Sequence, residues 1–423
     1  MALSSNSSST DETFVHSPGS IIIKDPTQFV LGKSLILQFP SQKKPLRLAI
    51  SATGLTKDKI TEARNGDRVG YQWRPIELHN MATSGGDHNN ECGEDALVVA
   101  HDGETKYSDI DTSCIKDEFA ITGLPLPVSI NTEPVRNVLF GVADGVGGMA
   151  EYGGNETAFM SHELMRLCGQ AIKTTATSAK NILQVAWDTL VREDRIKLGS
   201  TTVVLTLIKP SPDDPDSLTA QFASVGDSTC VVFRPVFNAL VDTQQHMNGY
   251  KPLMMSWPLY HKANSSNSPP LQLAILKYIL PTPAKHDNQV LYGQDFSNDG
   301  TDLPWMAQEG QTQLRRGDVV AVFSDGIGDN LRLHNLVAAV NVMYEHILHA
   351  YTKPYTIPFL LHGAVEEHAR RGNPAPSAIT DITEDQENIL AGNASALLAS
   401  TIVRYCQRSW KVDDMSVVVG IVV

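Results

Sequence analysis

Residues Val138–Gly148 read VLFGVADGVGG: an apolar run of strand length drives into Asp144 and then into a loop almost without side chains. The same ending recurs twice. FASV runs into Gly226-Asp227, and DVVAVFS, from Asp318, runs into Asp325-Gly326 with Asp329 one turn on. In the opposite sense, Glu94-Asp95 directly precede ALVVA, and Asp413-Asp414 directly precede MSVVVGIVV. In an antiparallel sheet the end of one strand lies beside the start of its neighbour, so these acids gather at one edge. A parallel sheet would hold them a strand length apart, with ligand groups at carboxyl ends only. The pattern therefore predicts mostly antiparallel sheets with a shared acidic rim. One Asp-Gly after a strand is an ordinary turn; five coincidences at strand ends are not.

Carboxylates crowded at one edge raise one another's pKa values unless cations neutralise them. Oxygen-only ligands, without Cys or His, select Mg²⁺ or Mn²⁺ over zinc or copper. Gly145, Gly147 and Gly148 let backbone approach such a centre closely. A nucleotide-binding reading of this loop fails, because it lacks the Lys-Ser/Thr of a P-loop and the G-x-G-x-x-G spacing. A phosphotransferase with an aspartyl nucleophile would want a DxD run after its first strand, which VADGVGG does not provide.

The chain has 423 residues, 42% hydrophobic, and a net charge of -13. That balance argues against nucleic-acid binding, which needs clustered Lys and Arg. Five scattered cysteines, with no CxxC pair, indicate reduced core thiols rather than a zinc site or disulfide framework. No run of about 18 apolar residues suggests a membrane span. The start, MALSSNSSSTDETF, has neither an apolar signal core nor an acid-poor, arginine-rich character, so an intracellular, cytoplasmic protein is expected.

Residues 1–20 read as a disordered polar lead, and 21–423 as a single catalytic domain with an irregular insertion at about 235–313. Further short strands are expected within IIIKDPTQFVLGKSLILQF and LRLAISATG, and at TVVLTLI, AQFASV and CVVF. Helices are expected at Glu156–Ile172, Asn181–Glu193, Asn330–Ala350, Ile357–Arg370 and Gln386–Trp410.

GEDALVVA, GVADGVGG, GSTTVVLTLI, ASVGDSTCVVFR, LRRGDVVAVFSDGIGDNL and VDDMSVVV, in this order, resemble the metal-dependent protein phosphatases of type 2C, the PPM family, over roughly residues 93–423. GEDA with ADGVGG, in place of the commoner DGH continuation, is similar to the family's mitochondrial branch. The resemblance implies an α+β fold, a four-layer α-β-β-α sandwich of two mostly antiparallel sheets flanked by helices. It implies two Mn²⁺ or Mg²⁺ ions, with Asp144 between them, the Gly145 carbonyl on one, and Asp325 and Asp413 on the other. Glu94 and Asp95 would act on the first ion, directly or through water. Asp227 and Asp329 match acids that support a weaker third ion in some relatives. Asp413 matches the family ligand in VDDMSV, while spacing leaves Asp414 open.

The implied activity is hydrolysis of phosphoserine and phosphothreonine in phosphoproteins by a hydroxide bridging the metals, with Asp144, Asp325 and Asp413 as catalytic residues and no phospho-enzyme. Many relatives carry a histidine after the Asp-Gly; here that position is Val146. His88 is a candidate substitute as proton donor. The alternative is a decayed, phosphatase-like binding module, against which stand the retained Glu94, Asp95, Asp144, Asp325 and Asp413. A monomer is expected. The family branch sets a mitochondrial location against the cytoplasmic one.

Overall fold

The computed structural model describes residues 34–40, 46–64, 93–109, 128–146, 157–237, 247–261, 270–276, 302–350, 383–407 and 411–423, apart from 105, 176, 213 and 215–216. The strands, in chain order, are β1 (Ser34–Gln38), β2 (Arg47–Leu55), β3 (Ala96–His101), β4 (Tyr107–Asp109), β5 (Val128–Asn131), β6 (Val138–Gly145) and β7 (Leu198–Pro210). They continue with β8 (Leu218–Val225), β9 (Thr229–Phe237), β10 (Met247–Met255), β11 (Leu273–Leu276), β12 (Gln308–Leu314), β13 (Val319–Phe323) and β14 (Met415–Val422). The helices are α1 (Lys57–Arg64), α2 (Thr157–Thr175), α3 (Ala179–Glu193), the short α4 (Asp325–Gly328), α5 (Leu333–Ala350) and α6 (Glu384–Gln407).

Eight strands form one sheet in the order β10-β9-β13-β14-β2-β1-β5-β4, and six form a second, β12-β8-β7-β6-β3 with β11 on β7. Among the described residues only β1 and β5 pair in parallel; the other ladders are antiparallel.

Both faces of the central strands are covered, which is why they read as unbroken apolar runs. In β13, Val320 and Val322 point into the core between the sheets with Val418, Phe140 and Val204. Val319, Ala321 and Phe323 point outward under α5 and α6, against Leu336, Val340, Leu397 and Ile402. The outer face of the six-stranded sheet packs Val98, Leu139, Val203 and Leu205 on Leu164, Cys168, Ile182 and Trp187 of α2 and α3. Period-two alternation in the strands and three-to-four spacing in the helices thus build a helix-sheet-sheet-helix sandwich, the architecture that the family resemblance implies.

α3 shows the local logic. Ala179, Ile182, Leu183, Ala186, Trp187 and Leu190 make its buried stripe, the Ser178 side chain caps it by accepting from the Asn181 amide, and Asp194 ends it in the left-handed conformation at φ 54°. α6 is apolar and long enough to cross a membrane by length and composition, yet its most apolar window is 83% buried within the protein. Cys168, Cys230 and Cys406 are buried free thiols, and burial pushes Cys230 up to about 12.

Three strands, β10, β11 and β12, fall inside the stretch 235–313 that the sequence presents as irregular. β12, QEGQTQL, has almost no apolar residues because it is an edge strand, paired among the described residues only with β8 and alternately exposed. β4, β5 and α1 also lacked a sequence signal. The expected helix Ile357–Arg370 and the lead 1–20 lie outside the described residues.

Arg47, only 1% exposed, joins β2 to the start of α6: its guanidinium pairs with Glu387 and donates to Asn388 Oδ1 at 2.7 Å. Removing one partner of such a pair strands the other charge in the interior. Arg47→Met is therefore expected to destabilise the protein by about 3–5 kcal/mol, read from urea unfolding.

Candidate active site

The acidic rim is assembled by strand register. β3 pairs with β6 so that Ala96 faces Ala143; one step further, Asp95 faces Asp144, and the Gly145 amide donates to the Glu94 carbonyl at 3.2 Å. In the other sheet, Phe323 faces Val417, Ser324 and Ser416 are joined by backbone, and Asp325 opens α4 beside the start of β14. Phe323 also faces Thr229 of β9, which places Asp227 opposite Asp325. The strand-final and strand-initial acids therefore meet in both sheets at one end of the sandwich.

Nearby side chains hold the backbone there. Thr201 Oγ1 donates to the Asp144 carbonyl at 2.8 Å, and Ser161 Oγ of α2 donates to the Glu94 carbonyl at 2.6 Å. The Val146 amide donates to Ser200. Gly147, Gly148 and His88 lie outside the described residues.

The adjacent aspartates Asp413 and Asp414 part company. Asp414 is buried, and its two oxygens accept from the amides of Lys57 at 2.7 Å and Glu94 at 2.8 Å. It thereby fixes the Gly93-Glu94 turn. Gly93 sits at φ +71°, and a Cβ there would lie 2.3 Å from the Asp414 carboxylate. Asp413 instead faces the rim, 3.2 Å from the Lys411 ammonium. Asp414→Ala is thus expected to cost about 2–3 kcal/mol of stability, the size of two lost bonds to a charged acceptor in part compensated by water. Asp413→Asn should stay within about 1 kcal/mol of the parent in the same thermal or urea titration.

Two lysines stand on the rim, neither of them singled out by the sequence reading. Lys411 contacts Asp325 at 2.8 Å, Asp329 at 2.7 Å and Asp413 at 3.2 Å. Lys57 contacts Glu94 at 2.9 Å. Lys411 lies two residues before Asp413, and in an extended segment such residues share a face, a signal the sequence did contain. Burial pulls the Lys411 ammonium down, but Asp325 and Asp329 outweigh it and the net shift is upward.

The carboxylates carry the opposite strain. Burial first, then the charge of Asp414, raises Asp95 well above the usual range. Burial, with Asp95 and Asp325 next, does the same to Asp144. Asp95 is wholly buried, and among the described residues neither of its oxygens, nor Oδ1 of Asp325, has a hydrogen-bond partner. The Ser324 and Ser416 hydroxyls lie close enough to favour its charged form but do not reach it in hydrogen-bonding geometry. Unpaired buried carboxylate oxygens from several strands fit a hard divalent cation, which takes oxygen ligands and supplies the missing positive charge. As they stand, no three Asp, Glu, His or Cys side chains among the described residues close around a common point. The Lys411 ammonium stands among Asp325, Asp329 and Asp413 instead.

Burial, then Asp325, pushes Asp227 up to about 7 from an unfolded value of 3.8. A carboxyl whose folded pKa is raised binds its proton more tightly when folded, so it subtracts stability as pH rises through that window. Asn cannot ionise. In metal-free protein, the stability of Asp227→Asn relative to the parent is expected to grow from about pH 4 to about pH 7, measured by urea unfolding at several pH values.

No family model matches the chain. It is 27% identical over 213 residues to protein phosphatase 2C homolog 7, mitochondrial, of Saccharomyces cerevisiae, covering 48% of this chain and 52% of that protein. It is also 27% identical to the PTC7 homologs of Xenopus laevis, over 49% of this chain and 60% of the relative, and of Homo sapiens, over 49% and 58%. The chain thus spans about half the length of the curated relatives it matches. Among solved structures it is distantly like the photosystem II phosphatase PBCP, at 16% identity and TM-score 0.39 over 88% of this chain and 98% of that one. The chain is similar to the type 2C, or PPM-family, serine/threonine phosphatases. Within them the likeness lies with the PTC7 proteins.

Proposed function

We propose that this chain is a Mn²⁺- or Mg²⁺-dependent protein phosphatase that hydrolyses phosphoserine and phosphothreonine directly, without a phospho-enzyme. The observation that carries the reading is that buried Asp144 lies close enough to Asp95 of its own sheet and to Asp325 and Asp413 of the other for their charges to raise its pKa, while the Asp95 oxygens have no hydrogen-bond partner among the described residues. The sequence likeness to PTC7 phosphatases supports it.

Asp144 and the Gly145 carbonyl would hold the ions from the six-stranded sheet, with Glu94 and Asp95 on the same side. Asp325 and Asp413 would hold them from the eight-stranded sheet, and Asp227 and Asp329 would support a weaker third. When bound, two such ions supply an acidified water as nucleophile and neutralise charge on the transferring phosphoryl group. The chain's own part is to hold its carboxylates in place before substrate arrives, through the Asp414 clamp and the Thr201 and Ser161 hydroxyls. Val146 carries no titratable proton, so the leaving alkoxide takes its proton from water or from a group other than this one. The word mitochondrial in the yeast relative's name supports the mitochondrial alternative over the cytoplasmic expectation.

The test is release of phosphate from phosphoserine and phosphothreonine peptides with added Mn²⁺ or Mg²⁺. Asp144→Asn and Asp325→Asn are each expected to lower the rate by about 100-fold or more, and EDTA to abolish it. A rate indifferent to EDTA and to both substitutions would sink the reading.

A further inference from the structure

We infer that Lys411 is a built-in counter-cation that occupies the Asp325–Asp413 side of the rim in the metal-free protein and must be displaced before a divalent ion binds there. The inference rests on the function proposed above and adds a positioning residue to it.

The lysine is not a passing surface contact. Its ammonium lies within 3.2 Å of three carboxylates, on Asp325, Asp329 and Asp413. Two of these three, Asp325 and Asp413, are the acids proposed as ligands. Its backbone is pinned on both sides by one residue: the Lys411 amide donates to Asn330 Oδ1 at 3.3 Å, and Asn330 Nδ2 donates to the Lys411 carbonyl at 3.1 Å. Asn330 Nδ2 also donates to the Gly326 carbonyl at 2.7 Å, so the lysine is tied to the turn that carries Asp325. Only side-chain torsions separate an ammonium among the carboxylates from one outside them.

The charges explain why the exchange is balanced. Three carboxylates against one ammonium leave two negative charges uncompensated, and a divalent cation in the lysine's place leaves one. Competition of this kind weakens metal binding without blocking it, and it keeps the acids from repelling one another while the site waits for its ion. Lys57 provides the internal comparison. Among the described residues its ammonium pairs with Glu94 alone, and its side chain is 45% exposed, so water already screens it.

Mn²⁺ binding to the purified full chain by isothermal titration calorimetry tests this directly, without reference to activity. Lys411→Met is expected to bind Mn²⁺ at least about tenfold more tightly than the parent, a gain of about 1.4 kcal/mol. It should also show a larger rise in melting temperature on adding Mn²⁺. Lys411→Arg, which keeps the charge, should stay near the parent, and Lys57→Met should change affinity by less than about threefold. Equal or weaker binding by Lys411→Met overturns the inference while leaving the proposed function standing, and so does a Lys57→Met gain as large as that of Lys411→Met. Absence of Mn²⁺ binding in the parent and in every variant overturns both.

Discussion

Asp95 is fully buried, lacks hydrogen-bond partners and stands in the field of Asp414 and Asp325, an arrangement that no protein interior favours without positive charge. It persists because the sandwich core leaves the chain no alternative. A one-residue slip of β3 on β6, or of β13 on β14, would turn every inward side chain outward. Val320, Val322, Val418 and Phe140 would leave the space between the sheets. Hydrophobic packing over two large faces thus enforces a local electrostatic conflict at the strand ends. In the proposed function that conflict is resolved by a cation from outside the chain.

The chain moderates the conflict in two ways. Asp414 spends its charge on two backbone amides, which converts a like-charged neighbour into the clamp that sets the Glu94-Asp95 turn. Lys411 and Lys57 bring ammonium groups to opposite sides of the rim. The acids are therefore pre-positioned and partly neutralised, so that in the proposed function the Lys411 side chain is the group that moves when a cation arrives.

Much of this was legible in the strand-end acids. VLFGVAD, FASVGD and VFSD, set against GEDALVVA and VDDMSVVV, imply antiparallel neighbours because only that arrangement places such ends together. The elements that escaped the reading share a physical reason. β12 is an edge strand without an apolar face, and β4 and β5 are only three and four residues long. Each is stabilised by partners distant in sequence, so its own residues carry little of the signal.

The sequence by itself determined the class of fold, the acids at the strand ends and the oxygen-rich chemistry they suit, because period-two patterning and strand-end placement are local properties. Spacing left Asp413 and Asp414 equivalent, with the family resemblance alone favouring Asp413, and both rim lysines went unremarked. Only the tertiary structure separated them. Asp414 meets amides from residues 57 and 94, Asp413 faces the rim, and Lys411 reaches acids on the turn after β13. Those roles arise from contacts across more than 80 residues of chain, where spacing says nothing and packing decides.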